Sequence, residues 1–340
     1  MNPKLSGPFN GLFDGTYEKR IPVACTFELN KNCNLDCVHC YIDEKSRASR
    51  PLQTPEIKNI LKQLAKAGTL YLVFTGGEIF LRKDILELCA YARRLKFDLR
   101  LFTNATLITP GISKKLAAAG VSAVEISLYG KRETHEKITR VQGSFDRTIA
   151  AIKALVKDKV KVVIKCALIK QNIQDYPWLK STAKKLKVKL QVDPTITSKT
   201  NGNKSALKYR LAPDSLRSIY ASDQAVQPSK LNGDKAANLL CSAGRNLAAI
   251  DSNGKLYPCL QLQLPLGNLK KDTFRSLWSS KNTVLSRLLR IEPKHINTCR
   301  NCDISAYCQR CPGLALLEDG NILGPSKIAC KIAKLRKKIS

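Results

Sequence analysis

The stretch LYLVFTGGEIFLRKDILELCAYARRL, residues 70–95, holds one complete strand-to-helix unit. Residues 70–75 are an apolar run with strand character, and residues 82–95 repeat apolar side chains at helical spacing. Between them Thr75, Gly76, Gly77 and Glu78 make a polar turn. Outward from this unit the same alternation recurs. Strand-like runs fall at about 21–29, 70–75, 98–103, 121–128, 160–168 and 188–193. Amphipathic helical segments lie between them. TPEIKNILKQLAKAG has Thr54 as its expected N-cap, Pro55 at the first helical position and Gly68 as its stop. PGISKKLAAAG, SFDRTIAAIKALVKD and YPWLKSTAKKL follow. Six uninterrupted alternations predict an α/β fold with a parallel sheet covered by helices through right-handed crossovers. Six units are too few for the closed eight-stranded barrel, so a partial (β/α)6 TIM-type barrel is expected.

The alternation stops near residue 194, where DPTITSKTNGNKSALKYRLAPDS is polar and loop-like. A short helical stretch leads to Cys241, and helical and turn-like pieces interspersed with cysteines fill the remainder. The expected organisation is an N-terminal extension at 1–20, the barrel at 21–235 and a cysteine-rich C-terminal domain at 236–340.

The chain has 340 residues, 44% hydrophobic and 25% charged, the composition of a globular enzyme with ample core material. The N-terminus lacks an apolar signal region, and no run approaches the roughly eighteen apolar residues of a membrane span. A cytoplasmic location is the resulting expectation. In that compartment thirteen cysteines argue for metal ligation over disulfides. The net charge of +31 suits an acidic partner: an acidic peptide, a carboxylate-rich small molecule or a nucleic acid. A merely solvated, lysine-rich surface accounts for it equally well. No basic stretch is interleaved with aromatics in the way that stacks bases, so nucleic acid ranks last.

In parallel α/β sheets, ligands bind beyond the carboxyl ends of the strands. The polar and glycine features fall largely there: TGGE after the second strand, TNAT with Asn104 after the third, EISLYG with Ser127 after the fourth. After the first comes NKNCNLDCVHCYIDE, residues 30–44, with Cys33, Cys37 and Cys40. Three thiolates are one short of a closed zinc site, and the only nearby histidine is His39 inside the loop. A [4Fe–4S] cluster accepts three cysteines and leaves one iron open. Three buried or zinc-binding cysteines are the bland alternative.

The C-x3-C-x2-C spacing followed by Tyr41 closely resembles the signature of the radical S-adenosylmethionine superfamily. That resemblance implies that the open iron binds S-adenosylmethionine. One electron then cleaves the sulfonium to methionine and a 5′-deoxyadenosyl radical. It further implies a cofactor pocket made by Tyr41, Gly76, Gly77, Glu78, Asn104 and Ser127. The two glycines would let the backbone approach the ligand, and Glu78 would pair with its ammonium. Ala105 stands where glycine is commoner, and Tyr129 where aspartate is frequent.

The C-terminal cysteines, with GKLYPC (254–259) and CRNCDISAYCQRCPG (299–313), resemble the SPASM domain of radical enzymes that mature peptides. The spacing before Cys311 is two residues where the family usually has three. By that resemblance Cys299, Cys302, Cys308 and Cys330 hold one auxiliary cluster. Cys241, Cys259 and Cys311 would hold a second that lacks a fourth cysteine: it is open to substrate, closed by an oxygen or nitrogen ligand, or absent, so one or two auxiliary clusters are expected. Read alone, C-x2-C-x5-C-x2-C equally describes a zinc knuckle. Cys25, Cys89 and Cys166 stand apart. Cys166 is carried as a candidate hydrogen-atom donor facing the barrel, and Lys165, Asp193, Tyr129 and Arg140 as candidate substrate or cofactor contacts.

The expected activity is hydrogen abstraction from a ribosomally made peptide, giving a crosslink, an epimerised residue or an oxidation. A separate peptide-carrier protein and an electron donor such as flavodoxin or ferredoxin are the expected partners. Radical decarboxylation or side-chain removal on a tetrapyrrole or other cofactor precursor is the alternative. A non-catalytic, zinc-stapled nucleic-acid or protein-binding module is the alternative from a different class.

Overall fold

Six parallel strands form where the apolar runs lie: β1 (Ala24–Asn30), β2 (Tyr71–Gly76), β3 (Asp98–Thr103), β4 (Ala123–Ser127), β5 (Val162–Ala167) and β6 (Lys189–Asp193). They are neighbours in sequence order, the open partial barrel that the alternation predicts. The structure, a computed structural model, describes residues 10–43, 50–222 and 241–339. The expected domain boundary at 235/236 lies outside the described residues.

Helices α2 (Thr54–Lys66), α3 (Ile85–Arg94), α4 (Pro110–Ala118), α5 (Arg132–Thr139), α6 (Ser144–Lys157) and α7 (Tyr176–Lys185) connect the strands, after an initial α1 (Asn10–Lys19). The N-cap of α2 is Gln53, one residue before the expected Thr54. The Gln53 amide donates to Glu56 Oε2 at 2.6 Å, while the Thr54 hydroxyl donates to Asp84 Oδ2 at 2.6 Å, just ahead of α3. Gly68 ends the segment at φ +90°, a left-handed turn open to glycine.

Strand alternation divides the sheet into two chemistries. Phe27, Phe74, Leu101, Ile126 and Ile164 face the helices and form the core with Ile60, Leu61, Leu88 and Ile152. The opposite, concave face carries Glu28, Arg100, Glu125, Ser127 and Lys165, residues out of phase with the core set. Charged rows therefore cross its floor, with Val73, Phe102 and Val163 among them.

The C-terminal region also contributes to this sheet. Strand β7 (Leu247–Ile250) pairs parallel with β1, placing Thr26 opposite Ala249. Antiparallel β8 (Lys255–Tyr257) and β9 (Gly267–Asn268) extend it to nine strands. The expectation of helices and turns alone missed β7, because LAAI is short and half alanine, a residue depleted in strands. The extension before residue 20 contains α1, which packs on this region. Arg245 stacks 4.8 Å over the Tyr17 ring, and Trp278 Nε1 donates to Arg20 O at 3.0 Å. Among the described residues no helix is long and apolar enough to cross a membrane.

Candidate active site

The cysteine loop follows β1 and is held from two sides. The carboxyl end of α5 accepts Asp36 N through Thr139 O and Val38 N through Ile138 O, both at 3.0 Å. Arg140 reaches Asp36 Oδ2 at 2.9 Å, which makes it a brace for the loop. On the other side Gly77 N donates to Asn30 O and Glu78 N to Asn32 O. A Cβ at Gly76 would lie 2.2 Å from Asn30 O, and one at Gly77 2.1 Å from Asn32 O. The glycines thus admit the backbone of the cysteine loop.

Glu78 is held from within the chain. It is fully buried, and its carboxylate accepts Thr103 Oγ1 at 2.7 and 2.8 Å, Asn104 N at 2.8 Å and Phe80 N at 3.0 Å. Burial raises its pKa against these donors. Glu78 therefore pins the end of β2 to the end of β3.

Asn104 lies at the lip of the loop. Its Nδ2 donates to Asn34 Oδ1 at 2.9 Å and points at Cys33 Sγ at 3.7 Å, while Oδ1 accepts Thr106 N and Oγ1. The Tyr129 hydroxyl is within hydrogen-bond reach of both Ser127 and the Cys37 thiol. Its ring packs edge-on to His39, centroids 4.8 Å apart, and stacks on His135 at 5.6 Å. Burial lowers the pKa of His39 and of His135 to about 4, so both rings are neutral at pH 7. The Tyr41 hydroxyl donates to Glu28 Oε1 at 2.9 Å across the start of the barrel. Burial raises Glu28 to about 7, the Tyr41 bond and Lys31 opposing it and Asp251 reinforcing it.

Cys166 does not face the barrel. On β5 it shares the helix-facing phase of Ile164, is 1% exposed, accepts Asn172 Nδ2 at 3.4 Å and packs in the core. Alternation assigns the concave side to Lys165 instead, and the hydrogen-donor expectation is withdrawn for Cys166 on that ground. Asp193, at the exposed end of β6, caps Thr195 N at 2.7 Å. Three groove residues were not singled out from the sequence: Glu28, Arg100 and Glu125. Each is a charge inside an apolar strand run, in the phase opposite the core residues, and that signal was available.

None of the thirteen cysteines forms a disulfide. The ten at ligand-like spacings are partly accessible, whereas Cys25, Cys89 and Cys166 are buried. Electrostatic neighbours sort the ten into three groups. Cys37 senses Cys40 and Cys33. Cys241 senses Cys259 and Cys311. Cys308 senses Cys330, Cys299 and Cys302. Burial is the largest influence in each case, raising Cys37, Cys241 to about 11 and Cys308 to about 12. Thiols that crowded and desolvated need a cation to stay ionised, which is what a cluster supplies. Backbone amides already point at sulfur: Leu35 N at Cys33, Ala243 N at Cys241 and Leu314 N at Cys311, at 3.4, 3.5 and 3.4 Å. The donor set fits iron–sulfur ligation. Among the described residues no three His, Cys, Asp or Glu side chains close around one point as a single ion requires. A cube in which each ligated iron takes a single protein sulfur does not need them to.

Comparison with known proteins agrees with this chemistry. Residues 27–179 match the Radical SAM superfamily, and residues 241–303 match SPASM, described as an iron–sulfur cluster-binding domain. AdoMet-dependent heme synthase of Methanosarcina barkeri is 29% identical over 331 residues, covering 89% of this chain and 94% of that protein. Mycofactocin maturase MftC of Mycolicibacterium smegmatis is 29% identical over 312 residues, covering 85% and 77%. Among solved structures, anSMEcpe with bound AdoMet superposes with a TM-score of 0.72 at 19% identity, covering 94% of this chain and 93% of that one. Streptococcus suis SuiB bound to precursor peptide SuiA gives 0.64 at 18%, covering 86% and 74%. At such identities the structural likeness speaks to fold alone.

Proposed function

The chain is a radical S-adenosylmethionine enzyme with a C-terminal SPASM domain, and from that premise we propose that it matures a ribosomally made precursor peptide held along the open side of its half-barrel. The observation that carries this reading is β6. It is the terminal strand of the sheet, and Lys189, Gln191 and Asp193 are exposed along it. An edge strand beside a concave floor crossed by charged rows can accept an extended chain by main-chain hydrogen bonds. The relative MftC is named a maturase, which supports the same class.

The cofactors are [4Fe–4S] clusters and S-adenosylmethionine. Cys33, Cys37 and Cys40 would hold the cluster that meets S-adenosylmethionine. Cys299, Cys302, Cys308 and Cys330 would hold one auxiliary cluster, and Cys241, Cys259 and Cys311 another. When bound and reduced by an external donor, the cluster at Cys33, Cys37 and Cys40 would supply one electron for reductive cleavage of S-adenosylmethionine, and the auxiliary clusters would add further one-electron capacity. The chain's own residues prepare the place. Asn104 and Asn34 fix the lip of the loop, and Glu78 locks the two strand ends beneath it. Ser127 and the Tyr129 hydroxyl offer polar contacts at the mouth. His39 and Tyr129 close the loop with ring surface, which keeps water from the reacting centre. With a net charge of +31, the protein attracts an acidic electron donor such as flavodoxin or ferredoxin.

Anaerobically reconstituted protein with dithionite and S-adenosylmethionine should release 5′-deoxyadenosine. With its precursor peptide it should give a mass loss of a hydrogen pair, or deuterium wash-in for an epimerisation. A second reading, radical decarboxylation of a tetrapyrrole's carboxylate side chains, is favoured by the match to heme synthase across nearly all of that protein's length. Carbon dioxide release from iron coproporphyrin, with candidate peptides left intact, would select it.

A further inference from the structure

On the concave face, charged side chains from three adjacent strands converge just below Ser127. Glu125, two residues earlier on β4, has a carboxylate only 4% exposed; its Oε1 lies 3.4 Å from Arg100 Nη1 on β3 and its Oε2 3.0 Å from Lys165 Nζ on β5. Lys165 also donates to Gln191 Oε1 on β6 at 3.2 Å and lies 4.9 Å over the Phe102 ring. Sheet register sets this arrangement, since Ser127 pairs with Lys165 and Lys165 with Gln191. Lys165 is therefore level with the residue expected to contact the cofactor.

The burial is lopsided. Glu125 is buried, while the Lys165 and Arg100 side chains that flank it, Lys165 level with Ser127 and Arg100 level with Ala123, are 23% and 43% exposed. A purely structural ion pair has no need to leave both cations the accessible partners. Arg100 is also loosely held. Its contacts to Glu125 and to Asp98 Oδ1 are 3.4 and 3.5 Å, longer than the roughly 2.7–2.9 Å of a charge-assisted hydrogen bond. Most of its five donors remain available for a planar, bidentate partner. Asp98 is itself 39% exposed, so water and salt weaken its competition for Arg100.

We propose that Arg100 and Lys165, which the buried Glu125 carboxylate neutralises until substrate binds, form a binding site for a carboxylate of the substrate. The site deepens the reading above and rests on the groove being where substrate lies. The shared chemistry is a carboxylate beside the reacting carbon, whether from an Asp or Glu of a peptide or a propionate of a tetrapyrrole. A neutral substrate would leave the two cations facing the groove without a partner.

Binding to the reconstituted holoenzyme at fixed ionic strength tests this with four probes. They are an Asp/Glu-containing peptide, its Asn/Gln counterpart, coproporphyrin III and its tetramethyl ester. Lys165→Met and Arg100→Gln should each weaken the responding carboxylate probe by about tenfold or more. Lys62→Met, an exposed helix lysine, should leave it unchanged. Glu125→Gln should tighten binding, because it frees both cations; a scaffold role for Glu125 predicts no such gain. Should Lys165→Met fold poorly around an unpaired Glu125, the double variant Lys165→Met/Glu125→Gln removes that stress and should still bind weakly. Whichever carboxylate probe responds identifies the source. Equal binding of the neutralised probes, or equal effects of Lys165→Met and Lys62→Met, overturns the site. So does failure of both carboxylate probes to bind a protein that releases 5′-deoxyadenosine. Absence of that product from the wild-type holoenzyme would instead sink the parent reading, and the binding comparison would still decide the site.

Discussion

Glu28 shows how much one inward-facing side chain can cost. It is 4% exposed on β1, and burial moves its pKa from 4.5 to about 7 although Tyr41 donates to it. Between those values the native chain binds a proton that the unfolded chain has released, so stability must fall as pH rises through the window. A shift of that size corresponds to about 3 kcal/mol, present in full below pH 4.5 and gone above pH 7. Glu28→Gln should therefore match wild type near pH 4.5 and exceed its stability by roughly that amount at pH 8. Urea unfolding at both pH values checks this, and parallel pH slopes for the two proteins would refute it. Glu78 behaves differently at the same scale. Its three donors, the Thr103 hydroxyl shared between both oxygens and the Asn104 and Phe80 amides, compensate the buried charge, so Glu78→Ala should destabilise by about 2–4 kcal/mol in urea unfolding.

At the scale of elements, the site is built by strands that end in the same plane. TGGE was legible as a motif following a strand, but its mechanics were not, because the atoms facing Gly76 and Gly77 belong to residues 30–32, more than forty positions away. Contacts of that kind leave no local mark on a sequence. Gly77→Ala would place a methyl carbon 2.1 Å from Asn32 O. It should push the cysteine loop off β2 and reduce bound iron at Cys33, Cys37 and Cys40, read as a weaker cluster absorbance per chain. Ala105→Gly, by contrast, relieves a positive φ of 61° and should retain full iron. The six parallel strands were legible because apolar runs and helical periodicity agree in every unit. β7 was not, since four residues rich in alanine carry too little signal and only pairing with β1 makes them a strand. Cys166 was misplaced by one phase: a lone thiol in a strand run does not reveal which side of the sheet it takes, and here Lys165 beside it holds the concave side.

For the whole molecule, the continuous sheet determines how the thiol groups relate. Because β7 pairs with β1, the region carrying Cys241, Cys259 and Cys311 is tied to the strand that leads into the Cys33–Cys40 loop by a parallel ladder, not a linker. The three groups nevertheless draw on different segments, so each should lose metal independently. Three [4Fe–4S] clusters amount to about twelve irons per chain. Cys259→Ala should remove about four of them while uncoupled 5′-deoxyadenosine release persists, since the loop after β1 keeps all three of its thiols. Cys37→Ala should also remove about four and abolish that release altogether. The two variants would then share an iron count and differ in chemistry, a contrast that general misfolding cannot imitate. If Cys259→Ala leaves the iron unchanged, the triad is no cluster site. If Cys37→Ala still releases 5′-deoxyadenosine, the reactive centre is not at the end of β1, and the polar mouth formed by Asn104, Ser127 and Tyr129 would need another explanation.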